Sequence, residues 1–508
     1  MSIFLSFSRK IQEKLSSQFK VRLKSGKSAF FRFPFAFSFG VITLLNLWFA
    51  LRDRTTPYFN GVSATAIPSQ AANAWGWSDS GSYLQMGIAQ ANFGHLTPDL
   101  LWTAIFWPPG MSFLNAFAIK MVGLEGQFIF VLATITALLW GLVLALIFNI
   151  LRSFMRVWIA ILVMVALIQT DLYHQYLVRD AIIWSDGYAA AFICLTILFS
   201  YFGYSKSSLR FFVLSGFSLA MTAYIRGQYF VVVQFFFVLA VGILGLSLLI
   251  SVVNKVKKLP DFSRKFSAFL TMSRTPLVAL SLVAVVTCAP YLLWQKNHIG
   301  DLSWDLKGKW HWTSTDVFAA MGNWIETDDL AGFVSEGGGG TACKVDPALC
   351  AEVNVSEKKA ALPFSLYDSE PYTGKQFYEM TIKTFRQHPL RWFKIKFPYF
   401  MKYWDSQPAI TNPAKTDFPV SEISAVGLLL FTASFFFRSA RRYWFAPAFI
   451  ALILIGATIG PPYFAHLEVR YLVAVKLIGF TVAIGVAGYV LEYLLRKNQP
   501  LLGAARQQ

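Results

Sequence analysis

Apolar residues in this chain come in long blocks bounded by charge. Crossing the hydrocarbon of a bilayer takes about 20 consecutive apolar residues in a helix. Runs at or near that length cover Phe33–Leu51, Phe128–Leu151, Val157–Thr170, Ala181–Gly203, Phe211–Ile225, Tyr229–Val253, Pro276–Trp294, Ile423–Phe437, Tyr443–Gly460 and Tyr471–Leu495. The pattern predicts an all-α polytopic membrane protein with about ten transmembrane helices. The third, fifth and eighth runs are short, so nine or eleven spans are the alternatives.

Composition agrees with this reading. A chain of 508 residues that is 56% hydrophobic and 14% charged has too little polar surface to wrap a water-soluble core, so the bilayer is its expected solvent. The net charge of +18 would fit a nucleic-acid partner, but the way the charge is sorted argues against one. Residues 1–32, 152–156, 206–210, 254–275, 438–442 and 496–508 hold 24 of the 45 basic residues against two acids, Glu13 and Asp261. Basic residues in alternate loops follow the positive-inside rule, which puts those loops and both termini in the cytoplasm. Within the first of these regions Ile11, Leu15, Phe19 and Leu23 form an amphipathic stretch suited to the anionic inner leaflet. The first span-length run starts only at Phe33 and reads as an uncleaved anchor.

The chain thus divides into a basic cytoplasmic segment (1–32), a transmembrane core (33–294) with a first extracytoplasmic loop at 52–127, an extracytoplasmic loop domain (295–421), C-terminal transmembrane helices (422–495) and a cytoplasmic tail (496–508). Both extracytoplasmic segments are longer than a connector needs to be, and long loops carry function. In the first, the aromatic-rich stretches Trp75–Phe93 and Leu100–Val122 predict two helices lying along the membrane surface, the second interrupted by Pro108-Pro109. In the second, Gly337–Gly340 reads as a linker, and His388–Phe397 mixes cations with aromatics where the chain returns to the bilayer. Cys194 and Cys288 fall within spans as packing residues. Cys343 and Cys350 share the large extracytoplasmic loop, where oxidising conditions favour a disulfide over a metal site.

Candidate chemistry lies on the extracytoplasmic side. Asp79, among aromatics after the first span, either caps a helix or acts on a substrate. The loop after the third span holds Asp171, His174, Arg179, Asp180 and Asp186, with Asp186 open to the same two readings. Arg226, in the short turn Tyr224–Tyr229, and Arg470, with Glu468 and His466, sit at membrane depth or at its edge. Ionisable groups there are costly unless paired, and planar Arg suits a phosphate; snorkelling interfacial arginines are the alternative.

The order of these features resembles the polytopic glycosyltransferases of the GT-C superfamily, particularly the protein O-mannosyltransferase and lipid A aminoarabinose transferase group. Asp79-Ser80-Gly81-Ser82-Tyr83 with Ile88-Ala89 is similar to the acidic motif of that group's first loop, and Trp107-Pro108-Pro109-Gly110 to its Pro-Pro segment. Ser185-Asp186, Gly216 followed by Arg226, and His466-Leu467-Glu468-Val469-Arg470-Tyr471 resemble later motifs, the last its Glu-x-Arg-Tyr. Two positions depart from the pattern: Ser80 replaces the second acid, and Trp107 replaces a Lys before the prolines.

The resemblance implies transfer of a sugar from a polyprenyl-phosphate-linked donor to an extracytoplasmic acceptor (lipid, glycan or protein) with inversion, in a bacterial inner membrane. It implies Asp79 as base, Asp186 as an orienting group, and Tyr83, Arg226, Glu468 and Arg470 as substrate-binding residues. No cofactor is predicted, and with one carboxylate of the acidic pair missing no metal is assigned, though a divalent cation stays open. Membrane lipids are the other expected partners, and no nucleic acid is expected. The rivals are a transporter or lipid-linked sugar flippase, and an inactive scaffold. If the loop assignment holds, Cys343 and Cys350 in protein from oxidising conditions will resist alkylation until a reductant is added; full labelling without reductant removes the disulfide.

Overall fold

The structure, a computed structural model, describes residues 33–52, 79–97, 100, 101, 104, 107–123, 128–179, 183–256, 261–300, 386, 390, 397, 400, 401, 404, 419–436, 438–464 and 469–504. Cys343, Cys350, Glu468 and nearly all of the 295–421 loop domain lie outside the described residues, as do residues 1–32 and 505–508. Among the described residues the chain is all-helical, with no strand.

In chain order the helices are α1 (Phe33–Arg52), α2 (Asp79–Phe93), α3 (Gly110–Val122), α4 (Phe128–Phe154), α5 (Val157–Ile168), α6 (Ser185–Lys206), α7 (Leu209–Ile225), α8 (Phe230–Val256), α9 (Asp261–Ile299), α10 (Val420–Ser434), α11 (Arg438–Phe464) and α12 (Val473–Ala504). Each of the ten apolar runs falls on a helix. Five described segments are long and apolar enough to cross a membrane: Phe128–Phe154, Ser185–Lys206, Gly227–Ile250, Thr275–Ile299 and Val473–Arg496. Large apolar side chains such as Val238 and Leu248 of α8, Val286 of α9 and Leu429 of α10 point outward, as they do when the solvent is lipid.

Helices extend into segments the pattern leaves as basic loops, at 261–275, 438–442 and 496–504, and a larger difference follows the third run. The run Val157–Thr170 ends as α-helix at Ile168, and Leu172–Arg179 continues as a π-helix where a loop is expected. Thr170 marks the change, its hydroxyl accepting the Tyr173 N–H at 3.3 Å. Tyr173 then anchors the segment by donating to Asn46 Oδ1 of α1 at 2.7 Å, while the Asn46 amide donates to the Ala137 carbonyl of α4 at 3.4 Å. A wide helical turn lets this one aromatic reach two neighbouring helices.

The centre of the bundle is α6, enclosed by α4, α7, α11 and α12. Its small residues Gly187, Ala189, Ala190 and Ala191 let those neighbours come near. After Lys206 the chain turns at Ser207, which adopts the left-handed region (φ 51°), and α7 runs back along α6. Ser215 locks the antiparallel pair: its hydroxyl is 2.7 Å from Ser200 Oγ and 2.9 Å from the Thr196 carbonyl. Two further crossings depend on glycine. A Cβ on Gly216 of α7 would strike the Leu280 carbonyl of α9. On α10 and α12, a Cβ on Gly427 would strike the Gly479 carbonyl, and one on Gly479 the Ser424 carbonyl.

These pairings sort the helix ends into two layers. The starts of α4, α6, α8 and α12 lie with the ends of α1, α7 and α9; the opposite layer carries Arg152, Arg156, Lys206 and Arg496, so the described basic turns share one end. Close crossings predict a stability difference between glycines. Gly427→Ala will destabilise the detergent-solubilised protein by about 1–3 kcal/mol through overpacking, seen as a lower midpoint in a thermal melt. Gly456→Ala, with nothing within 4 Å of the new Cβ, will leave the melt unchanged or slightly raised.

Candidate functional site

The layer opposite the basic turns holds a charged cluster at the junction of α6, α7 and α12. Asp186 lies in the first turn of α6 and Arg226 at the C-terminal cap of α7, so each charge sits at the helix end whose dipole favours it. The Arg226 Nη1 donates to Asp186 Oδ1 in a direct ion pair. Both side chains are largely buried, 16% and 9% exposed, where one without the other would be expensive. The helix cap read for Asp186 is not what the structure has. The cap position of α6 is Trp184, which makes no side-chain cap hydrogen bond, and Asp186 spends its carboxylate on Arg226.

The turn that carries Arg226 is held from two sides. Arg226 leaves α7 in an extended conformation (φ −140°, ψ 113°), its N–H still bonded to the Thr222 carbonyl at 2.9 Å. A 3₁₀ turn, Gly227–Tyr229, then leads into α8. From α11, Thr458 Oγ1 meets the Tyr229 hydroxyl at 2.8 Å, and the Ala457 carbonyl accepts from Gln228 Nε2 at 3.2 Å. On the outer side the Tyr471 ring lies 4.4 Å from the guanidinium carbon of Arg226, within range of a cation–π contact. Together Asp186, Arg226, Gln228, Tyr229 and Tyr471 line a small cleft with Ala189, Ala190 and Ile193 of α6 and Ala474 of α12.

The two loop helices pack beside this cleft. Gly87 of α2 sits against Asn115 and Ala116 of α3, and Gly110, just after Pro108-Pro109, sits against the end of α7. A Cβ on Gly110 would come within 2.6 Å of the Tyr224 carbonyl oxygen and 2.8 Å of Ile225 Cδ1, so only glycine lets the Pro-Pro turn reach the residues preceding Arg226. Tyr83 is 2% exposed, packs edge-on against Trp107 at 5.8 Å, and shares an apolar cluster with Met86, Met111, Tyr188 and Ile225. It ties α2 to α6 and α7 and does not line the cleft. Tyr188 is fixed in turn by Thr136, which donates to its hydroxyl at 2.8 Å.

Of the residues singled out in the sequence, the structure brings Asp186 and Arg226 into contact and puts Tyr83 one layer behind them. Asp79 opens α2, one helical turn before Tyr83; only its backbone is described, and the same holds for Arg470, in the 3₁₀ helix Val469–Leu472. His174 packs edge-on against Phe49 at 4.1 Å in the π-helix and is absent from the cleft lining. Tyr471, Gln228 and Tyr229 were missed as site residues, although the first closes the Glu-x-Arg-Tyr motif and the other two flank Arg226. Among the described residues no group of three or more His, Cys, Asp or Glu could hold a metal.

The fold and the cleft define a class: an all-α protein with membrane-grade helices and a paired Asp–Arg site at one end of the bundle. No protein-family model, curated protein or solved structure matches the chain. The ion pair makes a testable demand. Asp186→Ala and Arg226→Ala will each cost about 3 kcal/mol or more, because each strands a buried charge, while the double variant will cost much less than the sum. Thermal or denaturant melts of the four proteins measure this coupling, and additive losses would dissolve the pair.

Proposed function

We propose that the chain is a membrane glycosyltransferase of about ten spans, with its termini in the cytoplasm and its cleft on the extracytoplasmic face of a bacterial inner membrane. Its donor is a polyprenyl-phosphate-linked sugar, and its acceptor is a hydroxyl-bearing lipid, glycan or protein. The observation that carries the reading is the Asp186–Arg226 pair against Tyr471, at one end of the bundle beside the loop helices that begin at Asp79 and Gly110. The motif order resembling the GT-C group, which includes Asp186 and Arg226, points the same way.

The chemistry asks little more than positioned charge. The acceptor oxygen attacks the anomeric carbon, and the bond from that carbon to the phosphate oxygen breaks with its electron pair leaving on the lipid phosphate. The acceptor proton passes to a carboxylate, for which Asp79 is the candidate. Arg226 has five N–H donors and gives one to Asp186, so it can keep its charge in place through that pair and offer others to the departing phosphate. Asp186 thereby orients Arg226, and Arg470 with Glu468 is the candidate second substrate-binding group. Sugar selectivity is assigned to the 295–421 loop domain.

If Asp79 is the base, Asp79→Asn will lower transfer to acceptor by about 10²–10⁴-fold while expression and donor-lipid binding stay close to normal. A lost helix cap of about 1 kcal/mol would leave turnover of a folded enzyme nearly unchanged. Transfer measured in membranes supplied with lipid-linked sugars from the native host separates the two, and near-normal turnover would move the base elsewhere. Arg226→Lys will instead weaken donor binding or departure, since a point charge replaces a planar fork.

A further inference from the structure

At the opposite end of the bundle a second charged cluster is built around one carboxylate. Glu492 of α12 is 2% exposed although it belongs to an apolar helix. Its Oε2 accepts the backbone N–H of Arg156 at 3.0 Å; its Oε1 is 3.5 Å from Arg156 Nε and accepts from Arg496 Nε at 2.5 Å. Arg156 is the cap residue of α5 and makes no side-chain cap bond, so a carboxylate from α12 completes the start of α5. That explains Glu492 but leaves most of the two guanidiniums unexplained.

Each guanidinium has five N–H donors and turns its Nε to Glu492. Among the described residues neither makes another ion pair or hydrogen bond through its Nη nitrogens. The side chains are 36% and 37% exposed, so these edges face outward from a buried anchor. Alongside, Val157, Trp158 and Tyr493 expose apolar and aromatic surface, the composition of a headgroup-level belt.

We propose that Arg156 and Arg496 form a binding site for the phosphate of an anionic phospholipid in the leaflet at this end of the bundle. Planar guanidiniums match phosphate oxygens two at a time, and two arginines against one glutamate favour a headgroup with net negative charge over a zwitterionic one. The apolar flank gives the glycerol and first acyl carbons a place that a free phosphate ion could not use. Because Glu492 already holds both side chains by their Nε, little side-chain entropy is lost on binding. The site is independent of the chemistry proposed for the opposite cleft.

The test is native mass spectrometry of the full-length protein in detergent, titrated with phosphatidylglycerol or with phosphatidylcholine of the same acyl chains. The wild type will hold phosphatidylglycerol about tenfold more tightly, and Arg156→Gln with Arg496→Gln will erase the preference. If that double variant does not fold, Arg156→Lys with Arg496→Lys replaces it; positive charge beside Glu492 is kept, the two-pronged edges are lost, and a reduced preference is expected. Equal affinity for both lipids in the wild type, or an undiminished preference in the folded variant, overturns the proposal. So does displacement of the lipid by an equal concentration of inorganic phosphate, which would mark a free-anion site.

Discussion

Arg226 leaves the end of α7 at the rim of an apolar bundle, and its charge is tolerable there because Asp186 meets it. The pair is the point from which the surrounding layer is organised. It requires α6 to start where α7 ends, which the Ser207 turn and the Ser200–Ser215 contact enforce from the far end of the hairpin. It requires the following turn to stay put, which Thr458 and Ala457 of α11 provide. It also brings α12 into the site, because Tyr471 covers the guanidinium just before that helix begins. In an environment poor in water, a polar group left alone would be costly, so each of these contacts constrains its neighbour.

The same economy recurs at the opposite end, where Glu492 is buried and two arginines share it. One end of the bundle thus has a one-to-one pair behind an aromatic lid, and the other an excess of cations on a single acid. The balanced pair leaves a cleft whose polarity is local, whereas the unbalanced cluster leaves positive charge facing outward. This difference separates a reading based on chemistry from one based on lipid contact.

Glycine sets how tightly the layers close. Gly110 lets the Pro-Pro turn sit on the Tyr224 carbonyl, linking the first long loop to the Arg226 turn, and Gly216 does the equivalent deeper in, between α7 and α9. Tyr83 and Trp107 fill the remaining space between loop helices and bundle. Association between helices in lipid gains little from burying apolar surface, so such close backbone approach and dispersion contacts carry the packing.

The sequence alone determined the helical class, because a run of apolar residues long enough to span can satisfy its backbone in lipid only as a helix or as a closed barrel, and these runs lack the alternation of barrel strands. It also picked out Asp186 and Arg226 individually, since a charge bordering an apolar run is conspicuous wherever it falls. What it left open was that they are partners. They stand 40 positions apart, and their meeting depends on the length and direction of α6 and α7, which no local pattern encodes. The π-helix after α5 was equally hidden, being held by Tyr173 reaching Asn46 across 127 positions. Tyr471 became a site residue only through its approach to Arg226, and Tyr83 a packing residue only through Trp107 and Ile225. Periodicity reports what each segment needs from its solvent, whereas a contact between distant segments is decided by the packing of all the helices that lie between them.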